Sequence, residues 1–92
     1  MLTWDAAKRR ANLAKHGLDL ARCEAIFDHP MVTWDDDRDV YGEPRWNALG
    51  WLDGRVVHVS FTEEEDIVRV ISLRKATKHE AKKYWQTVSR HA

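Results

Sequence analysis

Residues 68–85, VRVISLRKATKHEAKKYW, pass from a β-branched run into a lysine-rich segment. β-Branched residues pack well on a pleated surface, so residues 67–74 are predicted to form a strand. Thr77 and Glu80 have the spacing of a capping box, which predicts that a helix begins there. The apolar residues that recur at helical spacing, and that we expect to face the core, are Ala81, Tyr84 or Trp85, and Val88.

Three further strands are predicted upstream of this stretch. They cover residues 31–35, 45–52 and 55–62. Asp53-Gly54 is a strong signal for a two-residue hairpin between the last two, and residues 63–66 form the next turn. Because side chains alternate along a strand, two faces are expected: Val57, Val59 and Phe61 on one, and Val56, His58 and Ser60 on the other. Residues 35–44 hold too many charges and breakers for a core element and are predicted to form a loop.

Two helices are predicted before the first strand. The first covers LTWDAAKRRANLAKHG, with Thr3 or Asp5 as its N-cap and Gly17 ending it. The second lies within residues 18–30 and is capped by Asp19. A connection this short predicts that the two helices pack as a hairpin.

This order of elements predicts an α+β fold. Residues 1–92 form one small domain with two N-terminal helices, a four-stranded, mainly antiparallel sheet and a C-terminal helix. The helices are expected to cover one face of the sheet and leave the other open for chemistry.

The composition excludes several classes of protein. Cys23 is the only cysteine, so an internal disulfide and a multi-thiol metal site are excluded, and a reducing, cytoplasmic location is expected. Cys23 itself is predicted to lie in the core. No apolar run approaches the roughly 20 residues of a membrane span, and the N-terminus does not resemble a signal peptide. We therefore expect no membrane association.

The charge of the chain is zero overall but segregated along the sequence. Residues 1–18 carry +3, residues 19–44 carry −6, residues 45–66 carry −3 and residues 67–92 carry +6. The sign of each face therefore says more about partners than the net charge does. Plain solubility is the alternative explanation of such charge runs.

The arginines on the strands are the main candidates for chemistry. Arg45, Arg69 and Arg74 lie on or beside predicted strands, and guanidinium groups bind phosphate through two parallel donors. His58 is the only strand histidine, and its ordinary pKa near 6.5 suits a proton donor or acceptor. The five histidines show no metal-ligand spacing, so no metal and no cofactor is expected. Further cations that could contact a polyanion are Lys15, His16, Lys75 and Lys78.

Each candidate also has a structural explanation. Arg69 could form an ion pair, and Arg45 could be a solvated strand end. His58 could be an ordinary half-buried histidine, and Glu80 a capping residue only. Tyr84 could be a core aromatic, and His16 could interact favourably with the C-terminal end of its helix.

The separated motifs resemble the BrnT toxin family. WDAAKRRANLAKHG is similar to the N-terminal signature of that family, and FDHP at residues 27–30 to its F-D-x-P element. The rest of the family signature is similar to three further features: Glu43 with Arg45, Gly50, and RVISLRKAT followed by a glutamate and a tyrosine. The resemblance therefore spans about residues 3–85. The recurring polar residues of the family fall here on Lys15, His16, Arg45, Arg69, Ser72, Arg74, Glu80 and Tyr84.

The resemblance implies a RelE-like fold and an endoribonuclease toxin of a type II toxin–antitoxin pair that inhibits translation. It also implies a BrnA-like antitoxin that forms a hetero-oligomer with the toxin. The toxin is then linked to operator DNA only indirectly, through the antitoxin. In the resulting hypothesis, cleavage needs no metal. Arg45, Arg69 and Arg74 hold the phosphate, Lys15 assists, and His58 or Tyr84 moves protons. Two alternatives stay open: a non-catalytic RNA-binding or interaction module, and an inactive toxin homologue kept as an antitoxin partner or corepressor.

Overall fold

The computed structural model describes residues 1–36 and 44–90. Most of the loop predicted over residues 35–44, including Glu43, lies outside these residues. In chain order the elements are β1 (Leu2–Trp4), α1 (Ala6–His16), a short 3₁₀ turn (Leu20–Arg22), α2 (Cys23–Ile26), β2 (Val32–Asp36), β3 (Arg45–Leu52), β4 (Arg55–Glu64), β5 (Ile67–Lys75) and α3 (Lys78–Arg90). Within the described residues, no helix is long and apolar enough to cross a membrane.

The sheet has five strands, in the order β1-β5-β4-β3-β2, where four were predicted. The α+β class is confirmed, but the prediction of a helix from Leu2 onward is wrong. Leu2–Trp4 pairs with β5 in parallel, and the other neighbours are antiparallel. Asp5 is the N-cap of α1, and its carboxylate accepts a hydrogen bond from the Lys8 amide. A three-residue strand is too short to show a period, which is why the sequence pattern did not reveal it.

The residues at each turn account for the two hairpins of the sheet. Asp53 and Gly54 both have positive φ, at 49° and 83°, as a two-residue hairpin turn requires. The second turn is shorter than predicted, because β4 continues to Glu64 and only Glu65 and Asp66 connect it to β5. Both the Asp-Gly hairpin and the pairing of its strands are confirmed.

The helices pack on both faces of the sheet. On one face, here named the α2 face, Val57, Val59 and Phe61 join a core with residues from α2 and the 3₁₀ turn, such as Ile26 and Leu20. The opposite face, here named the α3 face, packs against the C-terminal helix. Its apolar members are Leu49, Val56, Tyr84, Val32, Trp34, Trp51, Ala76, Ala81 and Val88.

The prediction that all the helices cover one face is therefore wrong. Leu49 and Val56 alternate with the α2-face residues and need their own cover, which α3 provides through Tyr84. Tyr84 rather than Trp85 belongs to the inner stripe of α3, because Trp85 is 48% exposed. Cys23 is buried in the core, as predicted.

Helix α1 lies along the edge of β5, beyond the point where β1 ends. Asn12 is its only buried residue. The Asn12 side chain accepts a hydrogen bond from the Leu73 amide (3.0 Å) and donates to the carbonyls of Leu73 and Leu18 (2.8 Å each). Its amide group thus makes the hydrogen bonds to Leu73 that a neighbouring strand would otherwise make. The second predicted helix is reduced to the 3₁₀ turn and the four residues of α2.

Candidate active site on the α3 face

Polar side chains cross the α3 face in rows set by the strand register. At one end of the sheet, Thr62 is paired with Arg69, and Arg45 lies one position beyond the Trp46–Phe61 pair. The middle row is Trp34, Asn47, Ser60 and Ser72, and the row at the other end is Val32, Leu49, His58 and Arg74. The candidates predicted on strands therefore share one face.

Arg74 is held in place by the start of α3. Its Nη1 and Nη2 atoms donate to Oε1 and Oε2 of Glu80 at 2.8 and 3.0 Å. Glu80 also closes the predicted capping box: the Thr77 amide donates to Glu80 Oε1, and the Glu80 amide donates to the Thr77 hydroxyl. This pairing with Arg74 lowers the pKa of Glu80 to about 2. The carboxylate therefore stays charged and fixes the guanidinium.

The remaining donors of Arg74 form a second fork. A guanidinium has five N–H donors. Glu80 takes one from each Nη atom, and the Lys75 carbonyl accepts another from Nη1 at 3.3 Å. The Nε–H and the second Nη2–H remain, side by side on the other edge of the group, and the side chain is 34% exposed. Arg74 can therefore bind a phosphate through two donors while Glu80 still holds it.

His58 lies directly opposite Arg74 in the β4–β5 register. It is half-buried, with a buried Nδ1 atom, and its ring packs edge-to-face on Trp34 at a centroid distance of 5.8 Å. A positive charge on His58 contributes to lowering the pKa of Glu80. An imidazole, a guanidinium and a carboxylate thus share one end of the sheet.

Arg45 and Arg69 do not converge with Arg74. Arg69 and Arg74 are five residues apart on β5, which corresponds to about 15 Å along a strand. Arg69 is exposed and lines an open groove of about 650 Å³ whose other walls include Glu63, Glu64 and Glu65. Within the described residues it forms no ion pair, so the suggested structural bridge is absent there. Arg45 is half-buried opposite Asp36.

Tyr84 lies on the buried side of α3 and is 2% exposed. Its hydroxyl donates a hydrogen bond to the Pro30 carbonyl at 3.0 Å, and burial raises its pKa. Both features favour a structural role, because the proton is already engaged and the group resists ionisation.

The other predicted cations gather near the C-terminal end of β5. Lys75 is the last residue of β5, and Lys78 is the first of α3. Lys15 and His16 end α1, one turn after Asn12, which is bonded to Leu73. All four are exposed. The end of the sheet that carries Arg74 is therefore also rich in positive charge.

Two contributors were not predicted as such from sequence. Asn12 was not singled out, although a buried polar residue within a charged helix needs a partner. Glu80 was predicted to be a capping residue. Its second role, as the partner of Arg74, arises because the short connection between β5 and α3 brings the two residues together. Among the described residues, no group of three or more His, Cys, Asp or Glu side chains could hold a metal ion.

The fold and site thus define a small α+β protein with three arginines and a histidine on one face of a five-stranded sheet. Residues 4–80 match a family described as "Ribonuclease toxin, BrnT, of type II toxin-antitoxin system". The match covers most of the 92 residues, so the chain belongs to the BrnT family. This confirms the resemblance and the broad prediction of a ribonuclease toxin with an antitoxin partner. A search among curated proteins found no match.

Proposed function

We propose that this chain is a metal-independent endoribonuclease that cleaves RNA through its 2′-hydroxyl group. The observation that carries the proposal is the open fork of Arg74, held by Glu80 and opposite His58 on a partly exposed region of the α3 face. A phosphate bound by this fork lies beside an imidazole whose ordinary pKa allows proton transfer near neutral pH.

The proposed reaction assigns one task to each group. His58 takes the proton of the 2′-hydroxyl, whose oxygen then attacks the adjacent phosphorus. The bond to the 5′-oxygen breaks, and that oxygen leaves with a proton from solvent or from His58. Arg74 stabilises the extra negative charge on the phosphate in the transition state. The products are a 2′,3′-cyclic phosphate and a free 5′-hydroxyl.

Arg45 and Arg69 have a binding role in this proposal. Because they lie about 15 Å from Arg74 along the sheet, they contact phosphates further along the RNA, and Arg69 does so against the repulsion of Glu63, Glu64 and Glu65 in the same groove. Lys15, His16, Lys75 and Lys78 extend the positive surface at the other end. In the cell the chain acts in the cytoplasm, inhibits translation by cutting RNA, and is neutralised by a BrnA-like antitoxin in a hetero-oligomer. That antitoxin alone contacts the operator DNA.

A non-catalytic RNA-binding module is the second candidate. The separation of Arg69 from Arg74 favours it, because binding tolerates a spread-out patch whereas catalysis requires convergence. Substitution to alanine at the two positions separates the candidates. If the protein only binds, both changes weaken RNA affinity to a similar extent and no cleavage is seen with either variant or with the wild type.

The direct test uses purified protein and end-labelled RNA in excess chelator. We expect cleavage to persist and the upstream fragments to end in a 2′,3′-cyclic phosphate or a 3′-phosphate, because the nucleophile is within the RNA. Fragments that end in a 3′-hydroxyl would contradict the mechanism. The loss of all cleavage in chelator, restored by a divalent metal, would contradict metal independence.

A further inference from the structure

A groove on the α2 face runs between α2 and the edge strand β1. Its volume is about 490 Å³. Leu2, Trp4 and Val68 form its floor, and each of them packs on its inner side against the main core. The outer sides of these residues are only partly covered. The groove is therefore an uncovered margin of the hydrophobic core.

The wall formed after α2 is also apolar. Phe27 is 37% exposed, and its ring packs edge-to-face on Phe61 at a centroid distance of 5.6 Å. Trp4 also contacts Arg9, which does not line the groove: the Arg9 guanidinium, paired with Asp19, lies 5.8 Å from the centre of the Trp4 ring. An exposed apolar surface with a polar border is typical of a binding site for another protein.

The α2 side of the groove is negative, whereas Met1, with its N-terminal ammonium group, lines the β1 side. Glu24 and Asp28 line the α2 side, and both are exposed. None of the ion pairs within residues 1–36 and 44–90 involves either carboxylate. These charges repel RNA phosphates and attract lysine and arginine. The groove also lacks the several convergent polar groups of a small-molecule site.

We propose that the antitoxin of the pair binds in this groove through a basic, amphipathic helix. This rests on the proposed function, because it names the binding surface for the partner of the toxin. Apolar side chains of the helix pack against Trp4 and Phe27, and its lysines or arginines pair with Glu24 and Asp28. A helix suits the groove better than an added strand, because β1 offers an edge of only three residues.

The groove and Arg74 lie on different faces of the sheet. Glu24 and Asp28 therefore affect the affinity for the antitoxin and leave RNA cleavage by the free toxin unchanged. This separation allows the two functions to be measured independently on the same variants.

The test measures binding of the antitoxin encoded beside the toxin gene to the purified full chain. The Glu24→Lys/Asp28→Lys double variant is compared with Glu63→Lys/Glu64→Lys, which changes the net charge by the same amount in the other groove. We expect the first to weaken binding about tenfold or more, because it reverses the charges on the α2 side, and the second to change it little. The Glu24→Lys/Asp28→Lys variant should cleave RNA as the wild type does, whereas the Glu63→Lys/Glu64→Lys variant, beside Arg69, serves as a control for antitoxin binding only.

A Phe27→Ala variant tests the apolar wall, with Trp85→Ala on the other face of the sheet as the control for losing an exposed aromatic. Thermal unfolding shows whether each variant is folded. Binding equal to wild type in both Phe27→Ala and the Glu24/Asp28 variant overturns the proposal, as does equal weakening by the Glu63/Glu64 control. A wild-type chain that cleaves RNA but does not bind the antitoxin also overturns it. If the antitoxin binds and the groove variants weaken that binding, but the wild type cleaves no RNA, the result supports the groove as the antitoxin site and contradicts only the nuclease proposal.

Discussion

Asn12 and Leu73, 61 residues apart in the sequence, are joined by two hydrogen bonds between the Asn12 amide and the Leu73 backbone. The distances are 2.8 and 3.0 Å, and both groups are buried. This relationship fixes the helix that carries Lys15 and His16 against the strand that carries Arg74. It replaces the ladder hydrogen bonds that β5 loses where β1 ends.

Replacing Asn12 with leucine should destabilise the protein strongly. The Leu73 N–H and C=O would lose their partners in a buried position, at a cost of about 1–3 kcal/mol for each group. Urea unfolding measures the loss, and amide hydrogen exchange at Leu73 should become faster. Asn12→Asp is the matched variant: it keeps the acceptor for the Leu73 amide but places a buried carboxylate against the Leu18 and Leu73 carbonyls, so a large loss is expected at pH 7 and a smaller one at acid pH, where the protonated carboxyl can donate. Unchanged stability in both variants would contradict this role.

The Arg74–Glu80 pair should make stability depend on pH in the acid range. The pKa of Glu80 is lowered in the folded protein to about 2, so the stabilisation is present above its ordinary pKa near 4.5 and disappears as the pH falls towards 2. Glu80→Gln keeps an acceptor for the Thr77 amide but removes the charge. At pH 7 we expect a loss of about 1 kcal/mol in the free energy of unfolding.

The difference between wild type and Glu80→Gln should shrink as the pH is lowered from 4.5 to about 2.5. Urea titrations over this range measure it, and Glu63→Gln is the control at an exposed carboxylate without an ion pair in the described part of the chain. A difference that stays constant with pH would show that the charge of Glu80 does not stabilise the fold.

Gly50 lies where α2 packs closely on β3. A Cβ atom at Gly50 would overlap the Ile26 Cγ2 atom, and Ile26 is fully buried. Gly50→Ala should therefore cost about 1–3 kcal/mol of stability through overpacking. Adding Ile26→Ala creates space, so the two changes together should cost less than the sum of the single changes. Additive losses in thermal or urea unfolding would contradict this contact.

Cys23 should be unreactive in the native protein. Burial raises the pKa of its thiol to about 12, so the thiolate needed for alkylation is scarce and inaccessible at pH 8. Mass spectrometry after incubation with iodoacetamide should show little modification in buffer and complete modification in denaturant. Rapid alkylation of the folded chain would contradict the burial of this residue.

The features predicted correctly from sequence are those that depend on near neighbours. The Asp53-Gly54 turn needs only its own backbone angles, and the Thr77–Glu80 capping box only one helical turn. Strand β1 and the Asn12 contact escaped prediction because they depend on β5, more than sixty residues away. The packing of α3 on its own face of the sheet was not predicted either. The alternation of side chains along a strand does not specify which helix packs on each side.

The candidate site shows the same division. The strand positions of Arg69, Arg74 and His58 were predicted. The face that they share was not, because strict alternation places residues 69 and 74 on opposite sides of a strand. The register shift beside Ser60 and Phe61 brings them to the same side. The distance between Arg69 and Arg74 was not considered, although it follows from the rise along a single strand. The fork between Arg74 and Glu80 depends on the geometry of the strand–helix connection, which sequence spacing alone does not determine.

The central claim is that Arg74 stabilises the reacting phosphate in the transition state. Single-turnover cleavage of labelled RNA at saturating protein, in excess chelator, tests it most directly. We expect Arg74→Ala to lower the rate roughly 10²–10³-fold and Arg74→Lys to restore it only in part, because an ammonium group lacks the two-donor fork. Arg55→Ala, at an exposed arginine beside the hairpin turn, should cleave like the wild type. A folded Arg74→Ala variant that cleaves at the wild-type rate would contradict the account.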